Sequence, residues 1–181
     1  MSSERPARAT PPNLFTGHDV AEILRERGWA SPQMSSPELN AWCERAAVLL
    51  GCHVVDRGAL ADLLSRIFHY DAMAVLQAVE SHAVLARYGA RDVIRRLAFL
   101  LLDGSALDSE RFKEIINVIK ESSDLRSRDL FLPIRLALAG KAGDGEFDRI
   151  VLLLDEATAL PFAVPVKSAR ARILEFCAAL D

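Results

Sequence analysis

Apolar residues recur at helical spacing along most of this chain. Val20, Ile23 and Leu24 share a face and predict a short helix over residues 18–28, with Gly28 as its stop. Trp29 to Pro37 holds two prolines and three serines, which predicts a loop. Ser36-Pro37 then has the form of an N-cap followed by a first helical residue. The helix it opens extends to about Leu50 and turns Leu39, Trp42, Cys43, Ala46, Leu49 and Leu50 inward, with Gly51 ending it. Asp56 is placed to cap a helix from Arg57 to Phe68 that buries Leu60, Leu63, Leu64 and Ile67. Asp71 opens the next, with Ala72, Val75, Leu76 and Val79 on one face. His82 to Tyr88 forms a separate turn before Gly89. Val93, Ile94, Leu97, Ala98 and Leu101 mark a long helix from Ala90 to Leu102, broken by Asp103-Gly104. Asp108 or Ser109 caps another that carries Phe112, Ile115, Ile116 and Ile119. Phe147 to Leu154 and Ser168 to Leu180 are the final helices, separated by a loop from Pro161 to Pro165. No segment alternates as a half-buried strand would, although Cys52 to Val55 could be extended. The expected fold class is all-α, a helical bundle of about 7–9 helices. The expected organisation is a disordered leader over 1–13, an N-terminal helical subdomain over 14–105 and a C-terminal one over 106–181.

The most informative run is Asp129 to Gly140. Pro133 suits the first turn of a helix, where its missing N–H costs nothing, and Gly140 suits the residue after it. Between them lies one charge, Arg135, near the expected positive end of the helix dipole. A cation is mildly unfavourable there, so the residue calls for another reason. A plain alternative is a capped core helix whose Arg135 reaches out to water. The turn-rich segment Lys141 to Glu146 follows.

Composition narrows the class. The chain has 181 residues, 51% hydrophobic and 26% charged, as is ordinary for a globular protein. The net charge of −3 does not advertise a nucleic-acid binder. Leu97 to Leu102 stops at Asp103, so no apolar run reaches bilayer length, and the first residues lack an apolar signal core. A cytoplasmic location with no membrane partner is expected. Cys43, Cys52 and Cys177 form no CxxC pair and are expected to be structural thiols in a reducing compartment, with no metal site. No Gly-rich phosphate loop and no nucleophile–base pair stands out. His69 and Asp71 are two apart and would face different directions on a helix, so no catalytic residues and no cofactor are expected.

Phe131-Leu132-Pro133-Ile134-Arg135-Leu136-Ala137-Leu138-Ala139-Gly140 resembles a Phe-x-Pro-Leu/Ile-Arg-x-Ala-Leu-Thr-Gly segment. Bacterial-type glutamyl-tRNA synthetases, which are class I, carry that segment near the C-terminus, before a short loop and a Leu-rich helix. Ala139 stands where threonine is usual. Phe68-His69-Tyr70-Asp71 resembles an upstream Phe-x-Tyr-Asp segment, and Gly89 to Ile94 the start of the following helix. Glu110 to Glu114, Val118 to Glu121, Pro165 to Ser168 and Arg172 to Leu174 are similar to later pieces in the same order. The likeness spans about residues 40 to 180.

The resemblance implies the helical anticodon-binding region of such a synthetase without its catalytic domain. Phe15-Thr16-Gly17-His18 only superficially echoes the His-x-Gly-His signature, and no βαβ pattern surrounds it, so the chain is not expected to be an enzyme. By position, Arg135 would reach an anticodon base or neighbouring phosphate, and Asp144, Gly145 and Phe147 would lie in the loop that closes on the anticodon bases. Lys141, Arg126 and Arg128, with Lys113 and Lys120, could contact phosphates, or could simply form a solvated face. A guanidinium suits base recognition because it can stack on an unpaired base and donate paired hydrogen bonds to its edge. Asp144-Gly145 replaces a Gly-Pro or Thr-Pro turn and puts negative charge where RNA would approach. The implied partner is tRNA of the glutamate type. The alternatives are a helical protein-interaction module, and a split or truncated half that acts with a separate catalytic subunit.

Overall fold

Side-chain caps set where most helices begin in the computed structural model, which describes residues 11–181. All but residues 11–13 of the expected leader lie outside the described part. Thr16 caps α1 (Gly17–Glu26) in a reciprocal box: its hydroxyl accepts the Asp19 N–H, and the Asp19 carboxylate accepts the Thr16 N–H at 2.7 Å. The Ser36 hydroxyl accepts the Leu39 N–H and starts α2 (Pro37–Leu50), which a 3₁₀ turn (Gly51–His53) continues where an extended run was conceivable. Asp56 caps α3 (Arg57–Phe68), Asp71 caps α4 (Ala72–Gln77), and α5 (Val79–Leu85) and α6 (Ala90–Leu101) follow without side-chain caps. Asp108 caps α7 (Ser109–Ser122). After α8 (Arg128–Ala139) and α9 (Gly145–Thr158), Ser168 caps α10 (Ala169–Leu180). The described residues contain no strand. Nine of the ten helices have seven residues or more, as an all-α chain requires, and the short α4 brings the count above the expected 7–9.

Several expectations change: much of the separate turn expected over His82 to Tyr88 belongs instead to helix α5 (Val79–Leu85). The single helix expected from Asp71 to Val79 is split at Ala78, whose ψ of 137° is extended. The Ser81 hydroxyl donates to the Val75 carbonyl across the break, and the lost phase leaves Val79 86% exposed instead of buried. Pro133 is not in a first turn either, because α8 already begins at Arg128. Its missing N–H would have reached the Asp129 carbonyl. A mid-helix proline costs ~3 kcal/mol. Burial of Leu130, Leu132 and Ile134, at about 1.5–3 kcal/mol each, more than offsets that. Arg135 is therefore mid-helix, away from the positive end of the dipole.

Helix α9 packs against α2 and α3 on one side and α8 on the other, and α6 lies against both α8 and α10. The Trp42 indole N–H, fully buried, donates to the Leu153 carbonyl at 3.2 Å and ties α2 to α9. Beside it Phe162, from the loop after α9, meets Trp42 and Phe68 edge-on, while Trp29 stacks flat on Phe68 with centroids 4.7 Å apart. Among the described residues no helix is long and apolar enough to cross a membrane.

Candidate nucleic-acid interface

Gly140 ends α8 at φ 76°, a left-handed conformation that glycine adopts without strain, and its N–H donates to the Leu136 carbonyl. The chain then folds back along α8. Arg135 holds it there: Nε and Nη2 each donate to an Asp148 carboxylate oxygen at 2.8 Å, and Nη1 donates to the Gly143 carbonyl at 3.1 Å. The guanidinium also lies over the Phe131 ring, 5.2 Å from its centre. The paired Asp148 raises the pKa of Arg135 further above its ordinary value. Three N–H groups of this guanidinium are engaged within the protein, so it acts as a clamp on the turn. Phe147 is likewise occupied. Its ring is buried against Gly143, where an added Cβ would collide with it, and belongs to the core.

Of the other expected residues, Lys141, Asp144 and Gly145 lie in this turn and Arg128 shares a cleft with it, whereas Arg126 and Lys113 belong to α7 and its end. Lys141 is exposed. Asp144 is exposed at the start of α9, of which Gly145 is the first residue. Arg128 is exposed and shares a cleft with Glu80, Arg87 and Asp144. Arg126 spends Nη1 on the carbonyls of Lys120, Ser123 and Leu125 and so closes the end of α7. Lys113 pairs with Glu110 one turn away at 3.3 Å. The turn is bordered by clefts on more than one side. One of about 640 Å³ lies between the end of α3, α4 and Gly140-Lys141. A smaller one between α3 and the start of α9 again has Arg66 and Lys141 in its wall, together with Glu146 and with Asp62, one turn before Arg66 on α3.

Arg66 did not stand out in the sequence, because its position depends on where α3 ends in space. The same holds for Arg172, which is 0% exposed. From α10 it donates Nη1 to the Arg66 and Leu138 carbonyls, both at 3.0 Å, Nη2 to Ile67 at 2.6 Å, and Nε to Lys167 at 3.2 Å. These acceptors include last-turn carbonyls of α3 and α8, which carry the negative ends of two helix dipoles. One buried cation therefore closes both helices. Burial lowers its pKa to about 10, which leaves it charged at neutral pH. Tyr70 stacks on it at 4.7 Å and donates its hydroxyl to the Ala137 carbonyl, and burial pushes the phenol pKa upward.

The described residues hold no group of three or more His, Cys, Asp or Glu placed to bind a metal. The cysteines are free thiols, and burial raises that of Cys43 to about 11, far from a reactive thiolate. The arrangement offers cations and open clefts around a clamped turn.

The chain is 30% identical over 86 residues to glutamate–tRNA ligase 2 of Syntrophus aciditrophicus (strain SB), which is 48% of this chain and 16% of that ligase. It thus spans only a small part of the length of the relative it matches. No family model matches the chain, and no solved structure matches it.

Proposed function

We propose that this chain is a tRNA-binding module that corresponds to the anticodon-binding region of a glutamyl-tRNA synthetase and recognises the anticodon stem-loop without catalysis of its own. The partial match to a glutamate–tRNA ligase supplies the relationship. The observation that carries the reading is the clamped turn between α8 and α9, bordered by clefts and presenting exposed Lys141 and Arg128. Arg135 serves it by holding the turn through Asp148 and Gly143. Asp144 and Gly145, at the start of α9, lie beside the approach path, and the negative charge of Asp144 disfavours close phosphates there.

Purified chain is expected to bind a glutamate-type tRNA at low salt, to bind anticodon-substituted transcripts less well, and to catalyse no ATP–pyrophosphate exchange with glutamate. Lys141→Glu and Arg128→Glu should weaken binding. Absence of binding to any tRNA at low salt, or exchange activity intrinsic to the chain, would overturn the reading.

A second reading, docking onto a separate synthetase catalytic subunit, is favoured by one feature. Phe99 on α6, Leu102 just after it and Leu174 on α10 are exposed apolar side chains at two packed helices, 66%, 48% and 39% exposed, flanked by Arg95, Arg96 and Arg170. Phe99→Asp would weaken such docking and leave tRNA affinity unchanged.

A further inference from the structure

We propose that the cleft between the end of α3 and the turn after α8 is a seat for one phosphate group, held by Arg66 and Lys141. It deepens the reading above, on which it rests only for the source of that phosphate, an RNA phosphodiester. Both residues line this cleft and also the adjoining one, which places them at the border between the two. Among the described residues neither is in an ion pair, a condition they share with Arg128 and Arg170 among others, whereas Arg45, Arg57, Arg87, Arg111, Lys113, Arg135 and Lys167 are paired; what sets these two apart is the cleft they share. A cation free of carboxylates keeps its full capacity for phosphate oxygens, and the Arg66 fork can engage two of them.

The backbone beneath would otherwise repel an anion. α3 and α8 both end at this cleft, and two helix C-termini present partial negative charge. Arg172 removes that obstacle, because its guanidinium takes up carbonyls from both ends and contacts no carboxylate. A single nitrogen, Nη1, bonds the carbonyl of Arg66 itself and that of Leu138, and thus fixes the spacing between the segments that carry Arg66 and Lys141. The Tyr70 ring in the cleft wall lies over Arg172, and Lys167 lies over the same ring with its ammonium 5.8 Å from the centre, paired to Glu175. The carboxylates that line the cleft are Asp71 and Glu80; Glu146 and Asp62, the latter one turn before Arg66 on α3, line the adjoining one beside the two cations. Asp71 is committed to the Met73 and Ala74 N–H groups at the start of α4.

The test uses the whole chain. Inorganic phosphate is titrated while the Gly140 and Lys141 amides are followed by NMR, and tRNA affinity is measured across salt concentrations. Wild type should show saturable shifts at those amides, and Arg66→Gln or Lys141→Gln should lose them, whereas Arg170→Gln, away from the cleft, should not. With tRNA, Arg66→Gln should lower the slope of log affinity against log salt by about 1, as loss of one phosphate contact does. Thermal melting of Arg66→Gln should match wild type, since its backbone carbonyl keeps Arg172. Phosphate shifts without tRNA binding would support the seat and overturn the RNA reading. Shifts and salt slopes unchanged by both substitutions would overturn the seat even if tRNA binds. Absence of response to either ligand would overturn both.

Discussion

Arg172→Met tests the most consequential side chain that the fold reveals. Methionine keeps much of the stem and removes the donors, leaving four backbone carbonyls without their present partner. The bonds to Lys167 and Arg66 are only part-buried, so water can replace the guanidinium there. Those to Leu138 and Ile67 are buried, and water cannot. Two orphaned buried acceptors cost about 2–6 kcal/mol, in line with the ~3–5 kcal/mol found when one partner of a buried charged contact is removed. Relief from burying the charge acts in the opposite direction and places the expected loss near 3 kcal/mol. That is a large fraction of the ~5–15 kcal/mol by which a domain is stable. Urea unfolding should show a lower midpoint at unchanged slope. Arg172→Lys keeps the charge but cannot span carbonyls from two helices, so it should recover only part of the loss. Arg170→Met, on an exposed face of the same helix, should lie within about 0.5 kcal/mol of wild type. A loss under about 1 kcal/mol for Arg172→Met would refute the claim that this residue closes both helices.

The Arg135–Asp148 pair, with side chains only 13% and 20% exposed, should show a coupling of about 0.5–3 kcal/mol in a double-mutant cycle of Arg135→Gln and Asp148→Asn. Additive losses would mean the clamp contributes nothing as a pair. Asp19 gives a pH dependence: chiefly the Thr16 N–H, donating to its carboxylate, lowers its folded pKa below the ordinary 3.8. Its contribution is therefore complete above 3.8 and is lost as pH falls through the lower folded value. As pH falls from above 3.8 in urea titrations, Asp19→Asn should lose less stability than wild type, and an equal loss would remove Asp19 as a source of acid sensitivity.

Helix starts at Ser36, Asp56, Asp71, Asp108 and Ser168 were legible in the sequence, because a capping side chain acts on N–H groups two or three residues away. The buried faces of α6 and α7 were legible for the same local reason. Val79 was not, since one extended residue, Ala78, resets the phase of everything after it. Pro133 misled because propensity favours the first turn, while the burial of Leu130 and Leu132 favours a longer helix. At the candidate site, the turn after Gly140 could be read from its glycines, but its clamp could not. Arg135 was conspicuous for its isolation, yet its partner Asp148 lies on the next helix. Arg172 was the least legible of all: in sequence it is one arginine among many, and apart from Lys167 its acceptors are 34 to 106 residues away.

That separation bears on the order in which the protein can assemble during synthesis. α3 and α8 emerge before α10, so their last carbonyls remain hydrated, and the gap between Arg66 and Lys141 unset, until Arg172 arrives. The contacts of Arg172, which wait for the last helix, are predicted to form late, with a φ-value near zero. Loss of Arg172 should then show mainly as faster unfolding, with the refolding rate little changed. A nascent chain released before α10 could hold most of the bundle and still lack the framed cleft.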